Sequence, residues 1–567
     1  MLDNDIKRPW LKNYDKEVSP YINYESIPLY NFLDRIADKH PNRTAILFNN
    51  WKITYKNLKI LTNFIAANLS QHGLKPGDRI AIMLPNLPQT ILSYWGALKT
   101  GAIIVMTNPL YMEKEILHHF NDSQTKFLIT LDLLYPKIKK LLPQLPLKKI
   151  FITSIADCLK FPLNFLYKLK QKKEQKIHIP YSHKILRWKT LLKKNKTFSI
   201  FKPNPKKDIA ILQYTGGTTG VSKGVMLTHH NMGANIQQCI HILQAMKNEH
   251  HTFLSLLPFF HIYGLTVCVN FATAIGATIV PMPKFSPLDI LKTINKIKPT
   301  IFPAAPSIFT AILQQKTLAN FDLSSIKYCL SGSAPIPVEI IEQFKAITNA
   351  EIIEGYGLTE ASPITHLNPL RGKKKYGSIG LPFPDTDACI VDMELGTVPL
   401  PPGKIGELII KGPQIMKGYW NKPDETASAL RNGWLYTGDI AYMDEEGYFF
   451  IVDRKKDLII SGGYNIYPRE IDEVLYEHPK VKEAVTVGIP SPTRGEIVKA
   501  YIVPKDGVTL TKAEIIKFCK EKLANYKVPR QIEFRDTLPK TMVGKILRRA
   551  LREEALQKMK NSSSQEK

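Results

Sequence analysis

A segment rich in glycine and hydroxyl side chains carries the strongest chemical signal in this sequence. Residues 215–224 read Thr-Gly-Gly-Thr-Thr-Gly-Val-Ser-Lys-Gly, so ten positions hold four glycines, four hydroxyls and one lysine. Glycine lets backbone N–H groups approach anionic oxygens closely, and the hydroxyls and the ammonium add further donors. This segment, the phosphate loop, therefore predicts a binding site for a nucleotide triphosphate. Its candidate binding residues are Thr215, Gly216, Gly217, Thr218, Thr219, Gly220 and Lys223.

The phosphate loop is not a Walker A motif, because Lys223 is followed by Gly224 rather than by serine or threonine. The apolar residues 209–214 before it are typical of a strand, and residues 227–231 after it are typical of the start of a helix. A loop that leaves such a strand lies where α/β folds bind ligands. The plainer interpretation is a glycine- and threonine-rich turn without a ligand.

Four further segments follow the phosphate loop in a fixed order. They are Glu-Gly-Tyr-Gly-Leu-Thr-Glu at 354–360, Tyr-Thr-Gly-Asp at 436–439, Asp-Arg-Lys-Lys-Asp at 453–457, and Pro-Lys-Thr-Met-Val-Gly-Lys-Ile-Leu-Arg at 539–548. Together, the five segments resemble the adenylate-forming superfamily of acyl-CoA synthetases, firefly luciferases and peptide-synthetase adenylation domains, over nearly the whole chain. Residues 432–440 and 453–457 resemble the signature of long-chain fatty-acid:CoA ligases, particularly bacterial ones, and residues 257–265 are similar to the matching segment of that group.

This resemblance implies an AMP-forming acid–thiol ligase that uses ATP, Mg²⁺ and coenzyme A. A fatty carboxylate attacks the α-phosphate of ATP to give an acyl-adenylate and pyrophosphate, and the thiol of coenzyme A then displaces AMP. Because the first step brings two anions together, the site needs cations where negative charge develops. Alternatives are an aryl or medium-chain acid as the substrate, acyl transfer to a carrier protein, and, more remotely, an inactive lipid-binding scaffold.

The resemblance also assigns residues to the first half-reaction. Lys545 matches the catalytic lysine that reaches the carboxylate and the α-phosphate, although it also lies in a basic tail where a lysine is usually solvated. Glu360 matches the Mg²⁺ ligand, and Thr359 is expected to contact the α-phosphate. Asp439 is expected to accept hydrogen bonds from the ribose hydroxyls, with Arg454 beside it. The residues expected around adenine are Gly332, Ser333, Ala334, Gly355, Tyr356 and Gly357, with the Tyr356 ring stacked on the base.

Other residues are assigned to the second half-reaction and to the acyl chain. Asp453 matches the hinge about which a small domain rotates between the two steps. Gly462, Gly463 and Tyr464 are expected to line the path of coenzyme A. His261, Leu265 and Val267 are candidates for the acyl pocket, although a lone histidine among apolar neighbours is equally typical of a core residue.

The elements that must position these residues alternate between helical and strand patterns. Residues 58–69 are typical of a helix, and residues 79–84, 102–105 and 127–130 are typical of strands. We therefore predict an α/β fold with parallel sheets in a large N-terminal domain, 1–452, which contains a basic insertion at 137–200 and a β-rich subdomain at about 385–452. A small, mobile α+β C-terminal domain, 453–567, carries the catalytic lysine.

Charge is concentrated in one part of the chain. The net charge is +27, and residues 137–196 hold 17 lysines and arginines against Asp157 and Glu174. Residues 159–173 mix lysines with aromatic and aliphatic side chains, which favours contact with an anionic membrane surface; a solvated basic insertion is the alternative. No recognisable nucleic-acid-binding module accompanies the charge.

The remaining features concern location. Six cysteines without paired spacing favour a reducing cytoplasm, and we find neither a signal peptide nor an apolar run long enough to span a bilayer. We therefore predict a cytoplasmic protein that associates peripherally with the inner face of a membrane. The oligomeric state is not fixed by the sequence, and a homodimer is kept as one option.

Overall fold

The computed structural model describes residues 7–49, 51–174, 177–195, 199–215, 222–246, 249–461, 464–491, 493–541 and 546–565. The chain divides into two compact units. The larger unit comprises Pro9–Asp387 and Ile410–Leu435, and the smaller unit comprises Met1–Arg8, Ala388–Ile409 and Tyr436–Lys567. The boundary that we predicted between residues 452 and 453 lies inside the smaller unit.

Two sheets form the framework of the larger unit. Within the described residues, the first has nine strands in the spatial order Leu381–Pro382, Ile364–Leu367, Glu351–Gly357, Tyr328–Ser331, Ile301–Ala304, Thr252–Ser255, Thr278–Pro281, Thr44–Phe48 and Trp51–Thr54. The second has eight strands in the order Gly418–Tyr419, Lys223–Thr228, Ile209–Thr215, Ile103–Met106, Arg79–Met83, Phe127–Leu131, Lys149–Thr153 and Ile185–Arg187. Central strands of both sheets pair in parallel, and runs such as Ile103–Met106 are apolar and buried throughout, as expected for strands covered on both faces.

Helices cover these sheets and close two apolar cores. One core joins Phe302 and Cys329 of the nine-stranded sheet to helix residues such as Phe309 and Phe344, and the other joins strands of the eight-stranded sheet to helices such as Glu113–Asp122. The helices of the larger unit are Asn31–Lys39, Tyr55–Gln71, Pro88–Leu98, Glu113–Asp122, Tyr135–Leu141, Leu163–Glu174, His229–Ile242, Pro287–Ile297, Pro306–Leu313, Val338–Thr348 and Pro423–Ala429, with a π-helical segment at Leu265–Phe271.

The basic segment 137–200 takes part in the eight-stranded sheet. It contributes the strands Lys149–Thr153 and Ile185–Arg187, which extend the parallel ladder from Phe127–Leu131. The sheet therefore continues through the segment that we had predicted as a basic insertion. The helix Leu163–Glu174, which we call the basic helix, lies between these two strands in the chain.

The smaller unit is built from short strands followed by an α+β region. Its first strands are Asp387–Val391, Gly406–Lys411, Trp434–Met443 and Phe449–Arg454. Its second sheet contains Tyr464–Ile466, Ile459–Ser461, Gly495–Pro504, Val481–Ser491 and Gln531–Phe534, and its helices are Pro468–Tyr476, Lys512–Lys522 and Arg548–Gln565. The predicted α/β class, the β-rich region and the C-terminal α+β region are confirmed. None of the helices in the described parts of the chain is both long and apolar enough to cross a membrane.

Candidate active site

The phosphate loop connects two antiparallel strands. Thr215 is paired with Lys223, and Tyr214 is paired with Gly224, so the two ends of the loop lie side by side. Gly216, Gly217, Thr218, Thr219 and Gly220 lie outside the described residues. The predicted strand before the loop is confirmed.

The chain after the phosphate loop differs from our expectation, because the strand Lys223–Thr228 precedes the helix. The helix His229–Ile242 then begins where we predicted, after Thr228, whose hydroxyl accepts a hydrogen bond from the Asn231 backbone N–H at 3.1 Å. The phosphate loop is therefore held at both ends by the sheet, instead of running from a strand directly into a helix.

A tyrosine connects the phosphate loop to the predicted metal ligand. The short strand Gly418–Tyr419 pairs with Lys223–Thr228, and the Tyr419 hydroxyl donates to Glu360 Oε1 at 2.8 Å. Lys223 Nζ lies 5.2 Å from the centroid of the same ring. Burial raises the pKa of Tyr419, and the nearby Glu360 carboxylate raises it further, so the phenol keeps the proton that it donates. Tyr419 was not among the predicted site residues, because this contact joins residues 59 positions apart.

Neighbouring strands bring the predicted adenine-binding residues together. Tyr328–Ser331 and Glu351–Gly357 are adjacent and parallel, with Ser331 opposite Glu354, so Gly332 and Tyr356 follow at the same edge of the sheet. The backbone around Gly357 is closely packed, because a Cβ atom at this position would lie 2.1 Å from the Pro363 carbonyl oxygen. Ser333 adopts a left-handed φ of 74°, which turns the chain sharply after the strand. The 3₁₀ turn Thr359–Ala361 directly follows and carries Thr359 and Glu360.

The acyl-pocket candidates lie on one short segment. Leu265 and Val267 are buried in the π-helical segment Leu265–Phe271, a geometry that is often found at functional sites. His261 Nδ1 accepts the backbone N–H of Tyr263 at 3.3 Å, and the Tyr263 hydroxyl donates to the Leu330 carbonyl at 2.8 Å. His261 therefore helps to shape the start of this segment, and its contact with an acyl chain stays a prediction.

In the smaller unit, the two ribose candidates form an ion pair. Asp439 and Arg454 lie opposite each other on paired strands, and Arg454 Nε contacts Asp439 Oδ1 at 2.8 Å. Asp439 is only 2% exposed. The neighbouring Lys455 contacts Glu407 Oε2 at 2.8 Å. The arrangement orients a buried carboxylate beside a half-exposed guanidinium, which suits recognition of vicinal hydroxyls.

The predicted hinge residue is tied to a helix. Asp453 lies in the strand Phe449–Arg454, and its carboxylate accepts the backbone N–H groups of Arg454 and Arg469, each at 2.7 Å. Arg469 is in the first turn of Pro468–Tyr476, so the carboxylate satisfies a donor at that helix terminus. The hinge role of Asp453 stays a prediction.

Asp453 belongs to a buried charge cluster with one cation. Arg548 Nη2 donates to Asp472 Oδ2 at 2.5 Å, and the same guanidinium acts on Asp453. Burial raises the pKa of Asp472 to about 7 and also raises that of Asp453, while Arg548 opposes both increases. Two buried carboxyls thus share one guanidinium.

Backbone hydrogen bonds join the two described ends of the segment that carries Lys545. Lys540 and Ile546 form a backbone bridge, and the Leu547 N–H donates to the Pro539 carbonyl at 2.8 Å. Lys545 itself lies outside the described residues, as do Gly462 and Gly463. Tyr464, the third residue predicted along the coenzyme A path, is 56% exposed, and its ring stacks on Tyr526 with the centroids 4.5 Å apart.

The donor chemistry fits Mg²⁺ at Glu360. Among the described residues, no group of three or more histidine, cysteine or acidic side chains is arranged to hold a metal. A single half-buried carboxylate suits an ion that takes most of its ligands from substrate phosphates and water. This is the ligand set expected when the metal arrives with a nucleotide.

Family models match both parts of this architecture. Residues 33–420 match the model of the AMP-binding enzyme, and residues 470–545 match its C-terminal domain. The chain belongs to the AMP-binding enzyme family. Among the relatives of this AMP-binding enzyme is a long-chain-fatty-acid–CoA ligase of Bacillus subtilis, which is 49% identical over 97% of this chain and 98% of that protein. An Escherichia coli protein of the same name is 38% identical over 98% of this chain and 100% of its own length.

Solved structures of other AMP-binding enzymes share the fold. An anthranilate CoA ligase in complex with anthranoyl-AMP superposes with a TM-score of 0.82 at 27% identity, covering 94% of this chain and 98% of that one. ATP-bound MatB from Rhodopseudomonas palustris gives a TM-score of 0.80 at 28% identity, covering 93% and 98%. The first of these structures holds an acyl-adenylate and the second holds ATP.

Proposed function

We propose that this AMP-binding enzyme is an AMP-forming long-chain fatty-acid:CoA ligase. The observation that carries the proposal is the 49% identity with a long-chain-fatty-acid–CoA ligase over 97% of the chain. In the first step, a carboxylate oxygen of the fatty acid forms a bond to the α-phosphorus of ATP, and pyrophosphate leaves. In the second step, the coenzyme A thiol loses its proton, its sulfur bonds to the acyl carbon, and AMP leaves.

The phosphate loop and Glu360 bind the polyphosphate in this proposal. Backbone N–H groups and hydroxyls of the loop take the phosphate oxygens, and Lys223 adds a positive charge at its end. Glu360 would hold Mg²⁺, which supplies positive charge to the phosphate oxygens when it is bound. The Tyr419 hydroxyl, 2.8 Å from Glu360 Oε1, orients the carboxylate so that its other oxygen is presented in a fixed direction.

Asp439, Arg454 and Tyr356 are the residues that we assign to the nucleoside. Asp439 accepts hydrogen bonds from the ribose hydroxyls, and the adjacent Arg454 orients the Asp439 carboxylate, since the two side chains are 2.8 Å apart. Tyr356 stacks on adenine at the sheet edge beside Gly332, Ser333 and Ala334. The tight packing around Gly355 and Gly357 leaves no room for larger side chains there and fixes the backbone on which Tyr356 is carried.

The cation for the first step comes from Lys545. Its ammonium neutralises the charge shared by the attacking carboxylate and the α-phosphate. Because the same site must later admit a thiol, the C-terminal region 453–567 rotates between the steps in this proposal, with Asp453 as the hinge. Tyr464, with Gly462 and Gly463, lines the path of coenzyme A after that change.

The rival substrates can be separated by one assay. Acyl-CoA formation is measured over saturated, unsaturated, medium-chain and aryl acids, each with coenzyme A supplied or withheld. The highest kcat/KM for long-chain acids, with thioester formed only when coenzyme A is present, supports the proposal. A preference for aryl or medium-chain acids would reject the long-chain assignment, and failure to release pyrophosphate with any acid would favour the inactive scaffold.

We also propose that the basic helix brings this cytoplasmic enzyme to the anionic inner face of a membrane. None of the side chains of Leu163–Glu174 is buried. Its apolar side chains are strongly exposed: Phe165 by 55%, Leu166 by 54% and Leu169 by 51%, with Phe161 just before it at 78%. Lys168, Lys170, Lys172 and Lys173 lie among them. An exposed helix that mixes apolar and cationic side chains fits the boundary between lipid headgroups and acyl chains.

A further inference from the structure

The helix Glu113–Asp122, which we call the clamp helix, holds Ser222 near the end of the phosphate loop. His118 Nε2 lies 2.8 Å from the Ser222 carbonyl oxygen, and His119 Nε2 lies 2.7 Å from the Ser222 hydroxyl. A carbonyl oxygen only accepts hydrogen bonds, so His118 Nε2 carries a proton and donates it. Two side chains of one helix therefore hold both the backbone and the side chain of Ser222.

The same helix also holds the strand residue before the phosphate loop. The His119 ring stacks on the Tyr214 ring, with the centroids 4.2 Å apart and an angle of 25° between the planes. The Tyr214 hydroxyl donates to Asp122 Oδ2 at 2.5 Å. Burial raises the pKa of Tyr214, and the hydrogen bond to Asp122 adds to the increase, so this donor stays protonated. One helix thus fixes the chain on both sides of the phosphate loop.

His119 acts as a neutral ring in this arrangement. Burial, with a smaller contribution from the neighbouring His118, lowers its pKa to about 3. The Tyr111 ring packs edge-on against the His119 ring, with the two centroids 4.7 Å apart. Within the described residues, His119 Nδ1 is buried and has no hydrogen-bond partner. A buried nitrogen without a hydrogen-bond partner lowers stability. We therefore interpret the contact of His119 Nε2 with the Ser222 hydroxyl as the reason for a histidine at this position.

The clamp helix is itself firmly anchored. Ile116 and Phe120, one helical turn apart, are fully buried in the core under the eight-stranded sheet. The Trp420 indole N–H donates to the Asp122 carbonyl at 3.1 Å and adds a second attachment at the end of the helix. The histidines therefore project from a rigid support, so that their contacts can set the position of Ser222.

We propose that His118 and His119 are positioning residues that fix Ser222, and with it the adjacent Lys223, for the triphosphate of ATP. This inference rests on the proposed function in one respect, that the loop binds ATP. Residues that are already held in place lose less conformational entropy when they bind an anion, and the affinity is higher for that reason. Neither histidine needs to contact the nucleotide.

The test measures ATP binding directly by titration calorimetry, without an acid substrate. We expect His119→Ala and Ser222→Ala each to raise the Kd for ATP by about 5- to 10-fold, as the loss of about one hydrogen bond predicts. The double variant should bind no more weakly than either single variant, because both remove the same contact. His119→Gln should bind within about twofold of the unaltered protein, since its amide again offers a donor and an acceptor. The exposed His183→Ala serves as the control and should leave the Kd unchanged.

Steady-state kinetics provide the readout that a merely structural role would not move. His119→Ala should raise the KM for ATP with kcat and the KM for coenzyme A nearly unchanged. Additive losses in the double variant, equal losses in kcat for all substrates, or failure of His119→Gln to restore affinity would overturn the proposal. These results are independent of the ligase assignment, which fails instead if the unaltered protein binds ATP but forms no acyl-CoA.

Discussion

At the scale of single residues, the hydroxyl of Tyr419 is the contact whose removal tests the metal assignment. Tyr419→Phe removes the donor 2.8 Å from Glu360 Oε1 and keeps the ring beneath Lys223. A hydrogen bond to a charged acceptor contributes about 1.5–3 kcal/mol. We therefore expect the Mg²⁺ concentration for half-maximal adenylate formation to rise by about tenfold, measured as pyrophosphate release across a Mg²⁺ titration.

A matched control separates this effect from the loss of any tyrosine hydroxyl. Tyr30→Phe in the same unit removes a hydroxyl that donates to the Phe201 carbonyl at 2.9 Å. It should leave the Mg²⁺ requirement unchanged, although it lowers stability by about 1 kcal/mol. An unchanged Mg²⁺ requirement in Tyr419→Phe would contradict the role that we assign to the tyrosine.

Single residues also show where sequence reasoning stops. The phosphate loop could be predicted from its residue types, whereas Glu360 and Asp439 were predicted because each lies in a short segment that resembles a family motif. Tyr419 and His119 were not, because each gains its role from a partner brought close by the fold, 59 positions away for Tyr419 and 103 for His119. An isolated tyrosine or histidine gives no local signal of such a partner.

At the scale of elements, the strand Lys223–Thr228 was hidden for a related reason. Its residues follow a glycine-rich loop and lead into a helix cap, so the local pattern favoured the helix, while pairing with Ile209–Thr215 and Gly418–Tyr419 made the strand. By contrast, the strands 79–83 and 127–131 were predictable because runs of buried apolar residues already specify them. The local sequence pattern carries no information on pairing between distant segments, so the strand Lys223–Thr228 could not be predicted from it.

The first residue of the helix Arg548–Gln565 is the cation of the buried charge cluster in the smaller unit. Arg548→Ala leaves Asp472 and Asp453 without their shared cation, and we expect a loss of about 2–4 kcal/mol in the free energy of unfolding at pH 7.5. Arg549→Ala, the adjacent control, removes only an exposed pair with Glu553 and should cost at most about 0.5 kcal/mol. Denaturant unfolding of the two variants provides the comparison.

The same variant has a pH dependence with a defined sign. Burial raises the folded-state pKa of Asp472 to about 7, while the unfolded carboxyl ionises near its ordinary value of about 4. The stability from this group is therefore full below about pH 4 and is lost as the pH rises through the folded pKa. Since removal of Arg548 raises that pKa further, the penalty of Arg548→Ala should shrink between pH 7.5 and pH 5. A penalty that does not change with pH would show that the buried carboxyls are not its cause.

The basic helix predicts a surface affinity that depends on charge and on its apolar side chains. Replacing Lys168, Lys170, Lys172 and Lys173 with glutamine should lower the partition coefficient onto anionic vesicles by at least about tenfold, since each lysine contributes on the order of 1 kcal/mol. The matched control replaces Lys512, Lys517, Lys520 and Lys522 with glutamine, so that the helix Lys512–Lys522 loses the same number of positive charges. Cosedimentation measures both.

Two outcomes of that experiment are decisive. If both quadruple variants bind vesicles equally well, the basic helix is solvated and contributes no specific contact. If the first variant alone is weakened, Phe165→Ser with Leu166→Ser should weaken binding further, because these side chains are 55% and 54% exposed and are the groups expected to enter the lipid boundary.

At the scale of the whole molecule, the proposed mechanism divides the two half-reactions between different residues. Lys545→Ala should lower the rate of adenylate formation by at least about a thousandfold, because it removes the charge that offsets repulsion between two anions. The same variant should convert a supplied acyl-adenylate and coenzyme A to acyl-CoA at nearly the unaltered rate, because no such charge develops in that step. Pyrophosphate release and thioester formation are measured separately.

Lys540→Ala is the control that distinguishes Lys545 from the other cations of the same basic segment. Lys540 is paired with Glu483 and forms the bridge with Ile546 at the base of this segment through its backbone, which alanine retains. We expect both half-reactions of Lys540→Ala to stay within a few-fold of the unaltered rates, since an exposed ion pair contributes about 0–1 kcal/mol. Equal loss of both half-reactions in Lys545→Ala, or an equal defect in Lys540→Ala, would mean that Lys545 is not the residue specific to adenylate formation.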